Sequence, residues 1–289
     1  MKLVTWNTQW CRGLDGLVSP RRIVAGAQAL AGEGGFDVLC LQEIAQGYPG
    51  LPGAPGGQPA ELAELLPGHQ LFFGAAVDEF TPGAGGRLQR QRFGNLIATR
   101  LPVLQVRHHP LPWPAEAGVP SMPRMCSVVT VRHATLGPLR IMTTHLEYYA
   151  PRQRHAQAEA LAALHGAAND LVAAPPTRAP GDTGSPFQLK AHTPHAVLCG
   201  DFNFEPDSAE YRAIQAAPAR AGLHDAWPLV HGDKPHPPTF RLFDRTYGPE
   251  PISCDFFFVS QSLTTQLKAL RVDLDTQVSD HQPMMLVLG

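Results

Sequence analysis

Short runs of consecutive apolar residues, each broken by a glycine or a polar residue, dominate the chain. "KLVTWN", "FDVLCLQE" and "HAVLCGD" are too short for ordinary helices and show no polar alternate face, which predicts strands covered on both sides. Between the first two, Pro20 to Ala31 reads as a helix with Ser19 as N-cap and Pro20 at N1, ended by Gly32, Gly34 and Gly35. "NLIATR", "VLQVRHHPL", "MCSVVTVRH" and "PLRIMTTH" are successive strand candidates with turn signals between them, which suggests an antiparallel run. Pro151 opens the clearest helix, "PRQRHAQAEALAALHGAANDLV", with an Ala/Leu stripe. "CDFFFVS" and "QPMMLVLG" close the pattern as strands. Two Gly/Pro-dense stretches, "GYPGLPGAPGGQP" and "AAPPTRAPGDTGSPF", read as long mobile surface loops.

The buried strands end alike. "VLCLQE" ends in Glu43 and "VLCGDFN" in Asp201 and Asn203, while "LVTWN" and "RIMTTH" end in Asn7 and His145, a pattern that suggests internal duplication. Polar groups at the carboxyl ends of several buried strands gather at one rim of a sheet, where open sheets build sites. Gly200 lets the backbone turn sharply, and residues two apart in an extended segment face the same side, so Asp201 and Asn203 can share one target. Taken singly, each of these residues also suits an ordinary strand-to-loop exit. Asp255 is harder to explain in that way. "ISCDFFFVS" sets its carboxylate against three phenylalanines, where an unpaired charge is costly. His281, in "VSDHQP", is the economical partner, because a carboxylate fixes the tautomer of an imidazole and raises its basicity.

Composition narrows the class. With 44% hydrophobic residues in 289, a large core is available, and no apolar run approaches the ~18 residues of a membrane span. Met1-Lys2 leads directly into a strand pattern with no apolar leader core, and the cysteines number five, two of them (Cys40 and Cys199) inside apolar strands. These features lead to the expectation of a reduced, cytoplasmic, monomeric chain with one domain over residues 1–289. Twenty-three Lys and Arg against twenty-five Asp and Glu leave a net charge of −2, which argues against a strongly basic nucleic-acid coat. A local basic groove remains open. Arg87, Arg90, Arg92 and Arg100 cluster around "GRLQRQRFGNLIATR", and Arg152 and Arg154 follow "THLEYYAP"; solvated loop charge is the alternative reading.

In their order along the chain, "TWN", "LQE", "GNLIATR", "THLE", "GDFN", "SCDFFFVS" and "SDHQP" resemble the endonuclease/exonuclease/phosphatase superfamily, over nearly the whole sequence. The resemblance implies an α/β fold, a four-layered α/β/β/α sandwich of two mainly antiparallel sheets. It implies a phosphoesterase, with a nuclease cutting phosphodiesters in nucleic acid by in-line attack of activated water as the leading reading. A phosphatase or phospholipase C-like enzyme acting on inositol phosphate or lipid headgroups is the alternative. By the same resemblance Asp201 orients and helps deprotonate the water, and Asn203 donates to the phosphate. Glu43, helped by Asn7, holds a divalent cation, Mg²⁺ or Mn²⁺, with Asp280 in support. His281, oriented by Asp255, acts on the water or the phosphate, and His145 hydrogen-bonds a non-bridging oxygen. Arg124 and Asn95 are the implied substrate contacts. Tyr148 and Tyr149 depart from the abasic-site enzymes, so recognition of abasic DNA is not implied.

Overall fold

Alternate residues of the short apolar strands face two different cores, which is why no polar face interrupts them. The computed structural model describes residues 1–177, 181, 184–216 and 222–289. Its first half runs β1 (Lys2–Asn7), α1 (Pro20–Ala31), β2 (Val38–Gln46), α2 (Gln58–Leu65), β3 (Gln70–Pro82), β4 (Leu88–Thr99), β5 (Val103–Pro110), β6 (Met125–His133) and β7 (Gly137–His145). Then come α3 (Pro151–Ala173), β8 (Ala196–Asp201), α4 (Ala209–Gln215), β9 (Leu223–Asp225), α5 (Ala226–His231), β10 (Asp255–Ser260), β11 (Leu267–Val272) and β12 (Met284–Leu288).

One six-stranded sheet is ordered β11-β12-β1-β2-β4-β3 and the other β5-β6-β7-β8-β10-β9. Each is antiparallel apart from a single parallel pair, β1 with β2 in the first and β7 with β8 in the second. The two sheets therefore match strand for strand and direction for direction. The duplication suggested by the strand endings is a property of the whole architecture.

Leu3, Val38 and Cys40 meet Val129, Ile141, Val197, Cys199 and Phe257 between the sheets. The alternate residues face outward: Val4, Leu39 and Leu41 pack with Ile23 and Ala27 of α1 and Leu62 of α2. On the opposite face Met142, Leu198 and Phe256 pack with Leu161 of α3 and Ile214 of α4. The result is the expected four-layered α/β/β/α sandwich, with each central strand buried on both sides. Among the described residues no helix is long and apolar enough to cross a membrane.

Several local readings change. "NLIATR" and "VLQVRHHPL" are not neighbours in one antiparallel run, because β4 belongs to the first sheet and β5 to the second. β4 also begins earlier, at Leu88, and pairs with β3 in a long hairpin. The outer half of β3 is exposed or half-exposed on both faces, so it shows no clean period in sequence. Ser19 is extended at the N-cap of α1, but its side chain makes no capping bond, leaving Pro20 as the local start signal. The first Gly/Pro-dense stretch is irregular up to Gln58, where α2 starts. Residues 178–180 and 182–183 of the second lie outside the described residues.

Gly200, one residue before the end of β8, has φ 137°, and a Cβ there would collide with the carbonyl oxygen of Thr144 on the parallel neighbour β7. No L side chain suits that backbone or that space. Gly200→Ala is therefore expected to cost about 2–4 kcal/mol, read as a lowered midpoint in urea denaturation. An unchanged midpoint would mean that the strand can shift without penalty.

Candidate active site

The two parallel pairs deliver their terminal side chains to one rim. Asp201 Oδ2 is the point at which they converge: Asn7 Nδ2 donates to it at 2.8 Å, His145 Nε2 lies 3.4 Å away and His281 Nε2 3.6 Å away. Asn7 Nδ2 also reaches Glu43 Oε1 at 3.2 Å, and His145 Nδ1 lies 3.9 Å from the same oxygen. Asp201 cannot swing, because its Oδ1 accepts the backbone N–H of Asn203 at 2.9 Å.

Local backbone strain puts two of these groups in place. Register pairs Asn7 with Gln42 and His145 with Asp201, so Gln42, not Glu43, is the counterpart of Asp201. Gln42 is buried and donates to Thr143 Oγ1 on the other sheet at 2.8 Å. The register with β4 shifts between Leu41 and Ile44, and within that bulge Glu43 takes a left-handed conformation, φ 60°, with its side chain on the cleft. Asn203 is left-handed too, φ 52°, and donates one amide hydrogen to the Leu146 carbonyl at 2.9 Å, which leaves its second for another acceptor.

Asp255 and His281 form the pair expected of them, Nδ1 to Oδ2 at 2.9 Å, both buried. The imidazole is clamped further by Phe240, stacked at 4.3 Å and 17°, while Trp6 Nε1 donates to the His281 carbonyl at 2.9 Å. Burial alone would lower the His281 pKa, but the charges of Asp255 and Asp201 outweigh it and raise it well above the usual value. His145 goes the other way, pushed down to about 3 by burial and by the charge of Arg124. One rim thus holds a charged imidazole and a neutral one, a separation suited to acid and base work. Burial and the charge of Asp280 lift Glu43 to about 7, and burial raises Asp280 as well. Asp280 is held by Gln9 Nε2 at 2.9 Å.

Glu43, His145, Asp201, Asn203, Asp280 and His281 line a cleft of about 330 Å³, with Asn7 and Asp255 behind them. Arg124 is on its wall, nearly buried, its Nε donating to Glu147 Oε2 at 3.1 Å while Nη1 has no hydrogen-bond partner among the described residues. Asn95 is not brought to the cleft. It is buried and its amide donates to the Met125 carbonyl at 3.3 Å, a bond that links the two sheets, because a polar group enclosed between them must be satisfied there. The arginines of the expected basic groove are largely engaged within the chain: Arg90 pairs with Asp78 at 2.6 Å and Arg100 with Asp37 at 2.7 Å, while Arg92 donates to Gln46 and lies over the ring of Phe73. Arg154 donates to the carbonyls of Glu147 and Tyr148, and Arg152 reaches only the Ala115 carbonyl at 3.4 Å.

Sequence reasoning missed Gln9, Glu147 and the aromatic walls of the cleft. Gln9 had a signal, two residues beyond Asn7 in "WNTQW"; Glu147 stands within "THLE" itself. A third grouping, Asp201, Cys254 and His281, brings one ligand atom each within 4.8 Å of the others. Its thiol is held protonated, since burial and the charges of Asp201 and Asp255 raise its pKa well above the usual value. A protonated thiol is a poor ligand, so the oxygen-rich side of the rim is the better cation site.

A four-layered sandwich of two matched sheets, with carboxylates and imidazoles gathered at one rim, is the deoxyribonuclease-I-like fold. The family profile described as "Endonuclease/Exonuclease/phosphatase family" matches residues 4–281, and the chain belongs to that family, whose members hydrolyse phosphoesters and are generally dependent on a divalent metal. No curated protein matches it. Among solved structures it is similar to an endonuclease/exonuclease/phosphatase from Beutenbergia cavernae, with 26% identity, TM-score 0.68, and coverage of 100% of this chain and 72% of that one. A mannosyl-6-phosphatase from Bacteroides thetaiotaomicron (17% identity, TM-score 0.64, coverage 100% and 99%) has the same fold. So does a 3′ phosphatase from Neisseria bound to a product DNA hairpin (21% identity, TM-score 0.57, coverage 100% and 99%).

Asp255→Asn removes the largest charge that raises the His281 pKa and leaves only Asp201 to oppose burial by its charge. The imidazole should then titrate at lower pH, followed by NMR of its ring protons, with the fold nearly intact. An unmoved titration would separate the two residues functionally.

Proposed function

We propose that the chain is a divalent-metal-dependent phosphoesterase that hydrolyses a compact phosphate ester by in-line attack of water. The observation that carries this reading is the convergence on Asp201 Oδ2 of Asn7, a neutral His145 and a charged His281. The residues present fit a cation. Glu43 is held above its ordinary pKa by burial and the charge of Asp280, and Asp280 is raised by burial and the charge of Asp201, which marks negative charge short of a counter-ion. They would hold Mg²⁺ or Mn²⁺, with Asn7 aligning Glu43. When bound, the ion supplies positive charge to the phosphate and lowers the barrier to attack on an anion.

The rest of the chemistry belongs to the chain. Asp201 orients the water and takes its proton as the oxygen attacks phosphorus; the P–O bond to the ester oxygen breaks in line on the far side, and the departing oxygen leaves as the alcohol after taking a proton from solvent. His281, held by Asp255, directs its Nε2–H toward the charge that develops on the phosphoryl group. His145 hydrogen-bonds a non-bridging oxygen, as does the second amide hydrogen of Asn203, and the guanidinium of Arg124 on the cleft wall adds positive charge beside them. Engagement of Arg90, Arg92 and Arg100 within the chain leaves little of the basic groove that a duplex would need, so a compact ester is favoured over long nucleic acid.

Protons and the metal compete for Glu43. Below about pH 7 its carboxylate is protonated, so metal affinity should rise about tenfold per pH unit from pH 5 toward 7 and level off above. Calorimetry in the absence of substrate checks this, and Glu43→Gln should weaken binding and flatten the rise. Full turnover in excess chelator would overturn the metal assignment.

A panel of phosphate monoesters, diesters, DNA and RNA, run at several salt concentrations, tests the substrate class. The expected result is hydrolysis of small esters with a KM nearly flat in salt. A preferred nucleic acid whose affinity falls log-linearly with salt would restore the nuclease reading.

A further inference from the structure

The polar rim accounts for the phosphate but not for the mouth of the cleft. Tyr149 and Tyr247 line that mouth and are 51% and 41% exposed, large rings left open to water beside a site. Both stand edge-on to Tyr148, at 88° and 79°, with ring centroids 4.7 and 6.3 Å away. Tyr148 is fixed by its hydroxyl, which donates to the Tyr247 carbonyl at 3.1 Å. The backbone is fixed as well. Glu147, 1% exposed, accepts the N–H groups of Tyr148 and Tyr149 on Oε1 at 2.9 and 3.1 Å, and on Oε2 it accepts Arg124 Nε at 3.1 Å and Met122 N at 3.3 Å. One buried carboxylate thereby ties the aromatic mouth to the arginine whose Nη1 is buried without a partner on the cleft wall.

We infer that this mouth binds the organic half of the substrate, and that this half carries a flat, apolar-faced ring of the nucleobase kind, so that the substrate is an ester of the size of a single nucleotide. The inference rests on the phosphoesterase reading and specifies its substrate. Tyr149 and Tyr247 are exposed rings held at fixed angles to a third, an arrangement that rewards stacking by a flat ring over contact with a flexible chain. Continuity with the rim sets the spacing: a ring at the mouth leaves its phosphate within the cleft, beside Arg124. A cavity of about 330 Å³ lies at the small end of ligand sites and encloses one ring-bearing unit.

The test is calorimetry with Ca²⁺ in place of Mg²⁺ to slow turnover. Adenosine 5′-monophosphate, glucose 6-phosphate and glycerol phosphate serve as probes with a flat ring, a puckered ring and no ring. Wild type should prefer the flat-ring probe to the ringless one by about tenfold or more, the worth of one good stack. Tyr149→Ala and Tyr247→Ala should each shrink that ratio, and Tyr149→Trp, which keeps a ring, should retain it. Thermal melts establish that the variants fold. Equal affinity for all three probes, a preference for the hexose phosphate, or a ratio untouched by either alanine variant would overturn the ring site. This readout does not depend on turnover: ring-dependent binding without hydrolysis of any ester would sink the phosphoesterase reading and leave the ring site standing.

Discussion

A single carboxylate oxygen organises this molecule. Asp201 Oδ2 faces an amide and two imidazoles, and those groups come from β1, from the end of β7 and from the segment just before β12. No one sheet could supply them. The oxygen is satisfied only when the two sheets pack face to face with their parallel pairs in matched positions, so the interior between the sheets, from Leu3 and Cys40 to Val197 and Phe257, sets the geometry of the rim. Packing and chemistry are coupled through that one position.

The same design concentrates cost at the rim. Glu43 and Asn203 adopt left-handed backbones that non-glycine residues ordinarily avoid, and Glu43, Asp280, Asp255 and His281 are ionisable groups shielded from water to differing degrees. Such arrangements persist when the surroundings over-determine them. Here the surroundings are explicit: the bulge in β2, the Ser279 and Gln9 contacts to Asp280, and the Phe240 ring against His281. Opposed pKa shifts in two imidazoles that share one carboxylate neighbour follow from where the other charges stand, Asp255 behind His281 and Arg124 beside His145.

Charge placement also separates the rim from the outer surface. The chain is near neutral, and two of the arginines on its first sheet, Arg90 and Arg100, are paired with Asp78 and Asp37, which weakens long-range attraction for a polyanion. The cleft combines the Arg124 wall with the aromatic side chains of Tyr148, Tyr149 and Tyr247. Glu147 links the two, holding an arginine with one oxygen and a tyrosine-bearing turn with the other.

Local sequence determined the buried strands, the two longest helices and the residue types at the strand ends, because burial on both faces writes an uninterrupted apolar run and a chemical group must stand where a run stops. It carried the pairing of Asp255 with His281 too, since a carboxylate among phenylalanines demands a partner. The β3–β4 hairpin was not legible, because an edge strand exposed on both faces has no period to read. Nor was the fate of Asn95 or of the arginines. Asn95 stands in "FGNLIATR" as though at a strand end, yet the register of β4 against β3 and the approach of β6 enclose it against the Met125 carbonyl. Whether Arg90 faces a phosphate or Asp78 depends on a cross-strand pairing twelve residues away, and whether Tyr149 and Tyr247 share one mouth depends on two loops nearly a hundred residues apart. Those outcomes were decided by tertiary structure, because a side chain's partner is set by distance in space, which local pattern does not encode.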